Sequence, residues 1–164
     1  SNSPPLKAEP SSEYNTAKNG DVLVTYALGS CVGICLYDVK TKVAGLSHVM
    51  LPSSAGFNVT FEQEGKFADT AIKRLLQLMI KEGALQSRIT AKIAGGAQMF
   101  AGLNNSSLSN IGQRNVAAVK AELMKLRIPI VAEDTGKDYG RTQYFYSEDG
   151  RMTIKSATKG EWHY

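Results

Sequence analysis

The sequence predicts an α+β fold in which mixed β-sheets are flanked by helices. The predicted elements follow one another as strands, helix, strand, helix, strand and hairpin, which alternates too irregularly for a doubly wound parallel sheet. Of the 164 residues, 43% are apolar, enough for one sizeable core. No run of about 20 apolar residues occurs, so we expect no membrane insertion.

Three strand-like runs open the predicted domain. Residues 22–29 are rich in β-branched and aromatic side chains and stop at a glycine. Residues 31–38 alternate in the period of a strand, and 42–51 continue in a strand-compatible way after a short turn. The second and third runs are therefore predicted to pair as a hairpin.

Two amphipathic helices are predicted further along the chain. Between 67 and 82 the apolar residues recur at steps of three and four, and Gly83 provides a left-handed stop. Residues 115–127 carry a second apolar stripe, and Pro129 follows where the next strand begins.

The segments around these helices are assigned as loops and strands. Residues 52–65 contain Pro, Ser and Gly without periodicity, which predicts a flap-like loop, and 95–112 read as a long irregular connection. Strands are predicted at 88–94 and 128–134. Residues 141–157 are predicted to form a hairpin around an Asp-Gly dipeptide, which suits a type I′ turn.

Composition limits the classes of function and the boundaries of the domain. The net charge of +4 comes from 19 basic and 15 acidic residues without a Lys/Arg block, so no nucleic-acid surface is expected.

Residues 1–12 lack Met and are rich in Ser and Pro, which predicts a flexible lead-in, partly derived from an expression tag. A single domain is expected over 13–160. No secretory signal opens the sequence, which favours a cytoplasmic protein.

Cys31 and Cys35 are the two cysteines, and their spacing allows a redox hypothesis. In a strand, four residues span about 13 Å. That exceeds the Cα separation of about 7 Å that a disulfide tolerates. Two thiols and one histidine also fall short of the four ligands of a structural zinc site, so no metal is expected.

Cys31 is the candidate nucleophile because it follows a Gly29-Ser30 corner that directly succeeds a strand. A sharp corner projects the thiol and leaves backbone N–H groups available for a developing oxyanion. Catalysis also requires surroundings that lower the thiol pKa below about 8.5. The alternative is that Cys31 is a small buried residue of the core.

His48 is the candidate base. His163 lies one residue from the end of the sequence, where residues are usually poorly ordered, so it is set aside. Cys31 and His48 would lie at the far ends of two adjacent strands. Thr25, on the preceding strand, is the candidate to orient the ring by accepting its second N–H, the alternative being strand propensity alone.

Six ordered blocks give the sequence a specific resemblance: VTYALGSCVGICLYD, LSHVMLP, GKFADTAI, AKIAGGAQMF, NIGQRN and AEDTG. They resemble the CheD family, the chemoreceptor glutamine deamidases of bacterial chemotaxis. The resemblance implies that Cys31 is the nucleophile, His48 the general base and acid, and Thr25 the third catalytic residue. It also implies a single sandwich domain similar to the catalytic domain of cytotoxic necrotizing factor toxins.

The resemblance further implies a cysteine amidohydrolase that needs no cofactor and converts glutamine side chains of methyl-accepting chemoreceptors to glutamate. Its partners would be the cytoplasmic helices of the receptor and the CheC phosphatase, and the protein alone would be a monomer. The alternative is a non-catalytic chemotaxis module that docks the receptor or CheC.

Overall fold

The computed structural model describes residues 14–99 and 110–164, and the backbone of residues 6–8. Within this part of the chain, ten strands form two five-stranded sheets. The first sheet has the order β1 (Leu6–Ala8), β3 (Val22–Leu28), β8 (Arg141–Tyr146), β9 (Met152–Ser156) and β10 (Gly160–His163). The second has the order β2 (Tyr14–Ala17), β5 (Val43–Val49), β4 (Val32–Asp38), β6 (Ile89–Gly95) and β7 (Ile130–Thr135).

Both sheets are mixed. β1 pairs with β3 in parallel and β6 pairs with β7 in parallel, whereas the other neighbouring strands are antiparallel. The predicted α+β class with mixed sheets is confirmed. The predicted hairpin is also confirmed, as β4 and β5.

The helices α1 (Ala68–Lys81) and α2 (Ile111–Lys125) cover one face of the second sheet. Alternation along β4 explains this arrangement, because Val32, Ile34 and Leu36 pack with the helices. Cys35 and Tyr37 point the other way and pack against the first sheet. The molecule is therefore a sandwich of helices, second sheet and first sheet, with one core on each side of the second sheet.

Several boundaries differ from the sequence-based expectation. The second helix begins at Ile111, four residues before the predicted start, and the loop after β5 contains a 3-10 helix at Phe61–Lys66. β2 and β10 were not predicted. In the β8–β9 hairpin only Gly150 of the Asp-Gly pair has a positive φ, of 75°, so the turn is not type I′.

Leu6–Ala8 fall within the predicted lead-in, yet they pair with Val22–Val24 as β1. The rest of 1–12 lies outside the described residues, and the division into lead-in and single domain stays a prediction. Residues 100–109 of the predicted long connection also lie outside them. No helix in the described ranges is long and apolar enough to cross a membrane.

Candidate active site

The segment 29–31 carries the chain from the first sheet into the second. β3 ends at Leu28 and β4 begins at Val32. Just before this corner the β3–β8 register shifts between Thr25 and Leu28, and Ala27 adopts a φ of 58°. This β-bulge bends the strand at its end, as bulges commonly do beside active sites. The corner predicted at Gly29 and Ser30 is therefore present, but it joins two sheets.

Three successive carbonyl groups of the corner accept hydrogen bonds. Ala97 N donates to Gly29 O over 2.9 Å, and Gly96 N donates to Cys31 O over 2.8 Å. The Ser30 carbonyl accepts from the Asn115 side chain, Nδ2 to O, over 3.0 Å. In a trans peptide the C=O and the following N–H point in opposite directions. Each following N–H, that of Ser30, Cys31 or Val32, therefore points away from the donor to the carbonyl of its own peptide plane.

Cys31 and His48 lie on the same side of the second sheet. Gly33 is directly opposite His48 in the β4–β5 register, and Cys31, two residues before Gly33, faces the same way. Cys31 packs against the core between the sheets, together with Cys35 and Leu46. Continued by one residue, the β4–β5 register would make Cys31 a diagonal neighbour of His48, a relation of about 7–8 Å between Cα atoms that long or aromatic side chains can bridge.

Burial favours the uncharged form of both Cys31 and His48. Cys31 is half-buried, and burial raises the pKa of its thiol. His48 is buried, and burial lowers the pKa of its imidazole. Both shifts favour the uncharged forms, a neutral thiol and a neutral ring. The thiol shift is opposite to the one expected from sequence, because Cys31 lies against apolar side chains of the inter-sheet core.

One nitrogen of the His48 ring makes no hydrogen bond within the described part of the chain. Its Nε2 is buried and has no hydrogen-bond partner among the described residues. A buried ring nitrogen without a partner destabilises the fold, and a catalytic role is one explanation for such a group. This makes His48 a chemically suitable base.

Thr25 faces the same inter-sheet layer from the opposite sheet. It is 1% exposed and lies two residues from Leu23, which belongs to the inter-sheet core. Its cross-strand partner is Gln143, whose Nε2 donates to the Gly33 carbonyl over 3.1 Å. Gln143 therefore connects Thr25 on one sheet to the residue opposite His48 on the other.

Asn115 and Gln143 were not identified from the sequence. Asn115 precedes Val119 by four residues and Leu123 by eight, so it is a polar residue on the buried stripe of α2. Gln143 alternates with Phe145 on the buried side of β8. A polar residue at an inward position of an amphipathic element was the available signal in both cases.

His163 is ordered, and excluding it as a mobile terminal residue was wrong. It lies on β10, where Nδ1 is 2.9 Å from Thr153 Oγ1 and Nε2 is 3.1 Å from Glu161. β8 and β9 separate β10 from β3, so the place of His163 in the sheet, rather than disorder, sets it apart from Cys31.

Cys31 and Cys35 are both reduced thiols. Cys35 lies inside β4, opposite Leu46 and Lys92, whereas Cys31 directly precedes that strand. No group of three or more His, Cys, Asp or Glu side chains suited to a metal ion occurs within 14–99 and 110–164.

Comparison with known proteins assigns the family. The model of the family described as "CheD chemotactic sensory transduction" matches residues 50–156. A protein of Caldanaerobacter subterraneus subsp. tengcongensis is 53% identical over 148 residues, covering 90% of this chain and 91% of that protein. The chain belongs to the CheD family. A CheD protein of Lachnoclostridium phytofermentans is 49% identical over 147 residues, 90% of this chain and 91% of the relative.

These relatives are named "Probable chemoreceptor glutamine deamidase CheD". The family model begins at residue 50, so Thr25, Cys31 and His48 precede the matched segment. The similarity to the Caldanaerobacter relative extends further, because an alignment of 148 residues in a CheD chain of 164 must include the region from 25 to 48.

Proposed function

We propose that this protein deamidates glutamine side chains of chemoreceptors, with Cys31 as nucleophile and His48 as base. The observation that supports the proposal most is that Cys31 and His48 lie on the inter-sheet side of the second sheet, beside a corner whose three carbonyl groups accept hydrogen bonds from Gly96, Ala97 and Asn115. The names of the relatives favour the same chemistry and the same substrate.

The first half of the reaction forms a thioester. Neutral His48 takes the Cys31 proton as sulfur attacks the carboxamide carbon, so that the thiolate is generated at the moment of attack. The oxyanion is stabilised by backbone N–H groups of the corner at Gly29, Ser30 and Cys31. The C–N bond then breaks, and ammonia leaves with the proton from the imidazolium.

The second half hydrolyses that thioester. A water molecule loses its proton to His48 and attacks the same carbon, and the C–S bond breaks as the thiol is restored. The product is a glutamate side chain. A neutral residue of the receptor helix becomes negative, which changes repulsion between neighbouring charges on that helix.

Thr25 orients the His48 ring in this proposal by accepting its second N–H. A hydroxyl is a neutral partner, so it fixes the tautomer without holding the imidazolium as strongly as a carboxylate. We expect Thr25→Val to lower kcat about tenfold, the worth of one ordinary hydrogen bond. Thr25→Ser should keep most of the activity because it keeps the hydroxyl.

The substrate helix would dock on an apolar rim formed by Tyr26, Met50 and Met99. These side chains are 51%, 36% and 47% exposed. Tyr26 follows Thr25, Met50 lies two residues after His48, and a Cβ at Gly29 would lie 3.2 Å from Met99 Cγ. Exposed apolar side chains next to these segments of the site would suit an amphipathic receptor helix.

We infer the cellular setting from the same substrate. Receptor helices of this kind lie in the cytoplasm, so the enzyme would act there. We also propose that it acts as a monomer and needs no cofactor. The likeness of the sandwich to the catalytic domain of cytotoxic necrotizing factor toxins, and the association with CheC, belong to this proposal.

The experiment measures ammonia release from a purified receptor fragment and locates the product by peptide mass. Cys31→Ala should abolish release while the protein stays folded. Cys35→Ala is the matched control, since it removes the second thiol of the same inter-sheet core, four residues further along the chain. Release at the wild-type rate from Cys31→Ala would refute the proposal.

The same experiment separates the deamidase from a binding module that docks the receptor or CheC. A module would retain receptor binding in wild type and in Cys31→Ala, with no ammonia released by either. Rapid alkylation of Cys31 argues against a purely structural thiol, because sealed thiols are inert.

A further inference from the structure

Asn115 connects the two halves of the proposed active site through one side-chain amide. Its Nδ2 donates to the Ser30 carbonyl over 3.0 Å and to the Met50 carbonyl over 2.9 Å. Ser30 directly precedes Cys31, and Met50 lies two residues beyond His48. One NH₂ group therefore donates both of its hydrogen bonds to the backbone segments that carry the proposed nucleophile and the proposed base.

Asn115 contributes to the structure through its two N–H donors, and its side-chain oxygen takes no part. Asn115 is fully buried, and its Oδ1 has no hydrogen-bond partner within the described ranges. A buried unpaired oxygen destabilises the fold, whereas an apolar residue of similar size would avoid that cost. An asparagine at this place is thus explained by the two carbonyl groups that it holds.

The first turn of α2 is seated closely enough to fix where Asn115 reaches. A Cβ at Gly112 would overlap the Ala97 carbonyl oxygen and lie 2.6 Å from Gly96 O. A Cβ at Gly96 would overlap the Val116 side chain. The backbone of the first turn of α2 therefore packs directly against the backbone of Gly96 and Ala97. This contact leaves the Asn115 amide little freedom to shift.

We propose that Asn115 is a positioning residue that sets the Cys31 corner against the His48 strand, an inference that rests on the proposed function. Ser30 C=O and Cys31 N–H belong to one peptide plane and point in opposite directions. Holding the carbonyl therefore aims the Cys31 N–H, one of the proposed oxyanion donors, away from α2. Holding Met50 O from the same atom fixes the end of the His48 strand relative to that plane.

The test compares Asn115→Leu and Asn115→Asp with wild type. Both variants are close in size to asparagine, and both remove the two donors. Gln113→Leu and Gln113→Glu are the matched controls, because Gln113 is an exposed amide on the same turn. We expect the Asn115 variants to lower kcat about 10–100-fold with KM nearly unchanged, the cost of a small misplacement of reacting groups.

A second measurement does not depend on turnover. The rate of Cys31 alkylation is followed against pH, with the modified residue located by peptide mass. His48→Gln defines the profile of a thiol without its base. We expect the Asn115 variants to shift towards that profile, while the Gln113 controls keep the wild-type one. A purely structural role would lower the melting temperature and leave the profile unchanged.

The outcomes separate this inference from the proposed function. If wild type releases no ammonia, the proposed function fails, and the alkylation profile alone decides the role of Asn115. A shifted profile then supports the positioning role. An unchanged profile in folded Asn115 variants overturns it. Failure of both variants to fold assigns Asn115 to the fold alone and also overturns the inference.

Discussion

Replacing Gly33 by alanine tests how the two sheets approach each other beside His48. A Cβ at Gly33 would overlap Gln143 Oε1 and lie 2.7 Å from its Cδ. Gln143 is fully buried, so its amide cannot swing into solvent. The new methyl group must therefore displace Gln143 or push β4 away from β8.

The expected loss of stability follows from two effects. Overpacking a buried site costs about 1–3 kcal/mol. A displaced Gln143 also loses the 3.1 Å hydrogen bond from its Nε2 to Gly33 O, and a buried amide donor left unpaired costs about 1–3 kcal/mol. Together these predict that Gly33→Ala lowers the free energy of unfolding by about 2–6 kcal/mol, a large part of the 5–15 kcal/mol typical of a domain.

Urea unfolding followed by circular dichroism measures this change. Gly140→Ala is the control, because its Cβ would meet only Leu28 O at 3.6 Å, an ordinary contact. Its stability should stay within about 0.5 kcal/mol of wild type. Equal unfolding midpoints for Gly33→Ala and wild type would show that Gln143 does not fill the space beside Gly33.

The double variant Gly33→Ala/Gln143→Ala decides the mechanism. Removing the glutamine side chain vacates the space that the new methyl group needs. The two substitutions should therefore be less damaging together than their sum, with a coupling free energy of about 0.5–3 kcal/mol. Strict additivity would mean that the contact between these two residues is not the cause.

Three further predictions address the site and its supports. His48 must be neutral to accept a proton and burial lowers its pKa, so the acid limb of kcat/KM should lie below its ordinary 6.5, and a limb above 6.5 would contradict this. Gly95→Ala, whose Cβ would overlap Cys31 O, should lower kcat about 10–100-fold, whereas Gly136→Ala, with a similar positive φ but open space, should not. Burial opposes ionisation of Asp38, but hydrogen bonds from Arg88, Leu85, Lys40 and Thr41 outweigh it and hold its pKa below the ordinary value. Stability from Asp38 should therefore be present above about pH 4 and lost as pH falls, and acid titration of unfolding should show a smaller loss in Asp38→Asn.

The local part of the site could be predicted from the sequence. Period-2 alternation in β4 and a turn ending at Lys42 are enough to bring Cys31 and His48 to neighbouring strand ends. Asp38 supports that turn itself, since its carboxylate accepts from Lys40 N over 2.9 Å. Short-range patterns of this kind determine the register of a hairpin, and here the register places both side chains on one face.

The division into two sheets could not be predicted in the same way. β3 and β4 are separated by three residues, a spacing that also suits a hairpin, yet they lie in different sheets. What decides between these arrangements is the pairing of β3 with β8, as in Thr25 with Gln143, far apart in sequence. No local pattern reports such a pairing. For the same reason the sequence placed Thr25 on a preceding strand without showing that it faces the inter-sheet layer from the opposite sheet.

The proposed nucleophile and its proposed oxyanion donors thus depend on different parts of the fold. The Cys31–His48 relation comes from one hairpin and should survive wherever that hairpin forms. The direction of the corner amides depends on Gly96, Ala97 and Asn115, which come from the end of β6 and from α2. A change that loosens α2 from the second sheet should therefore reduce turnover before it alters the pairing of β4 with β5. Activity and global stability need not fall together, because the proposed catalytic pair and the amides that would stabilise its transition state are held by separate contacts.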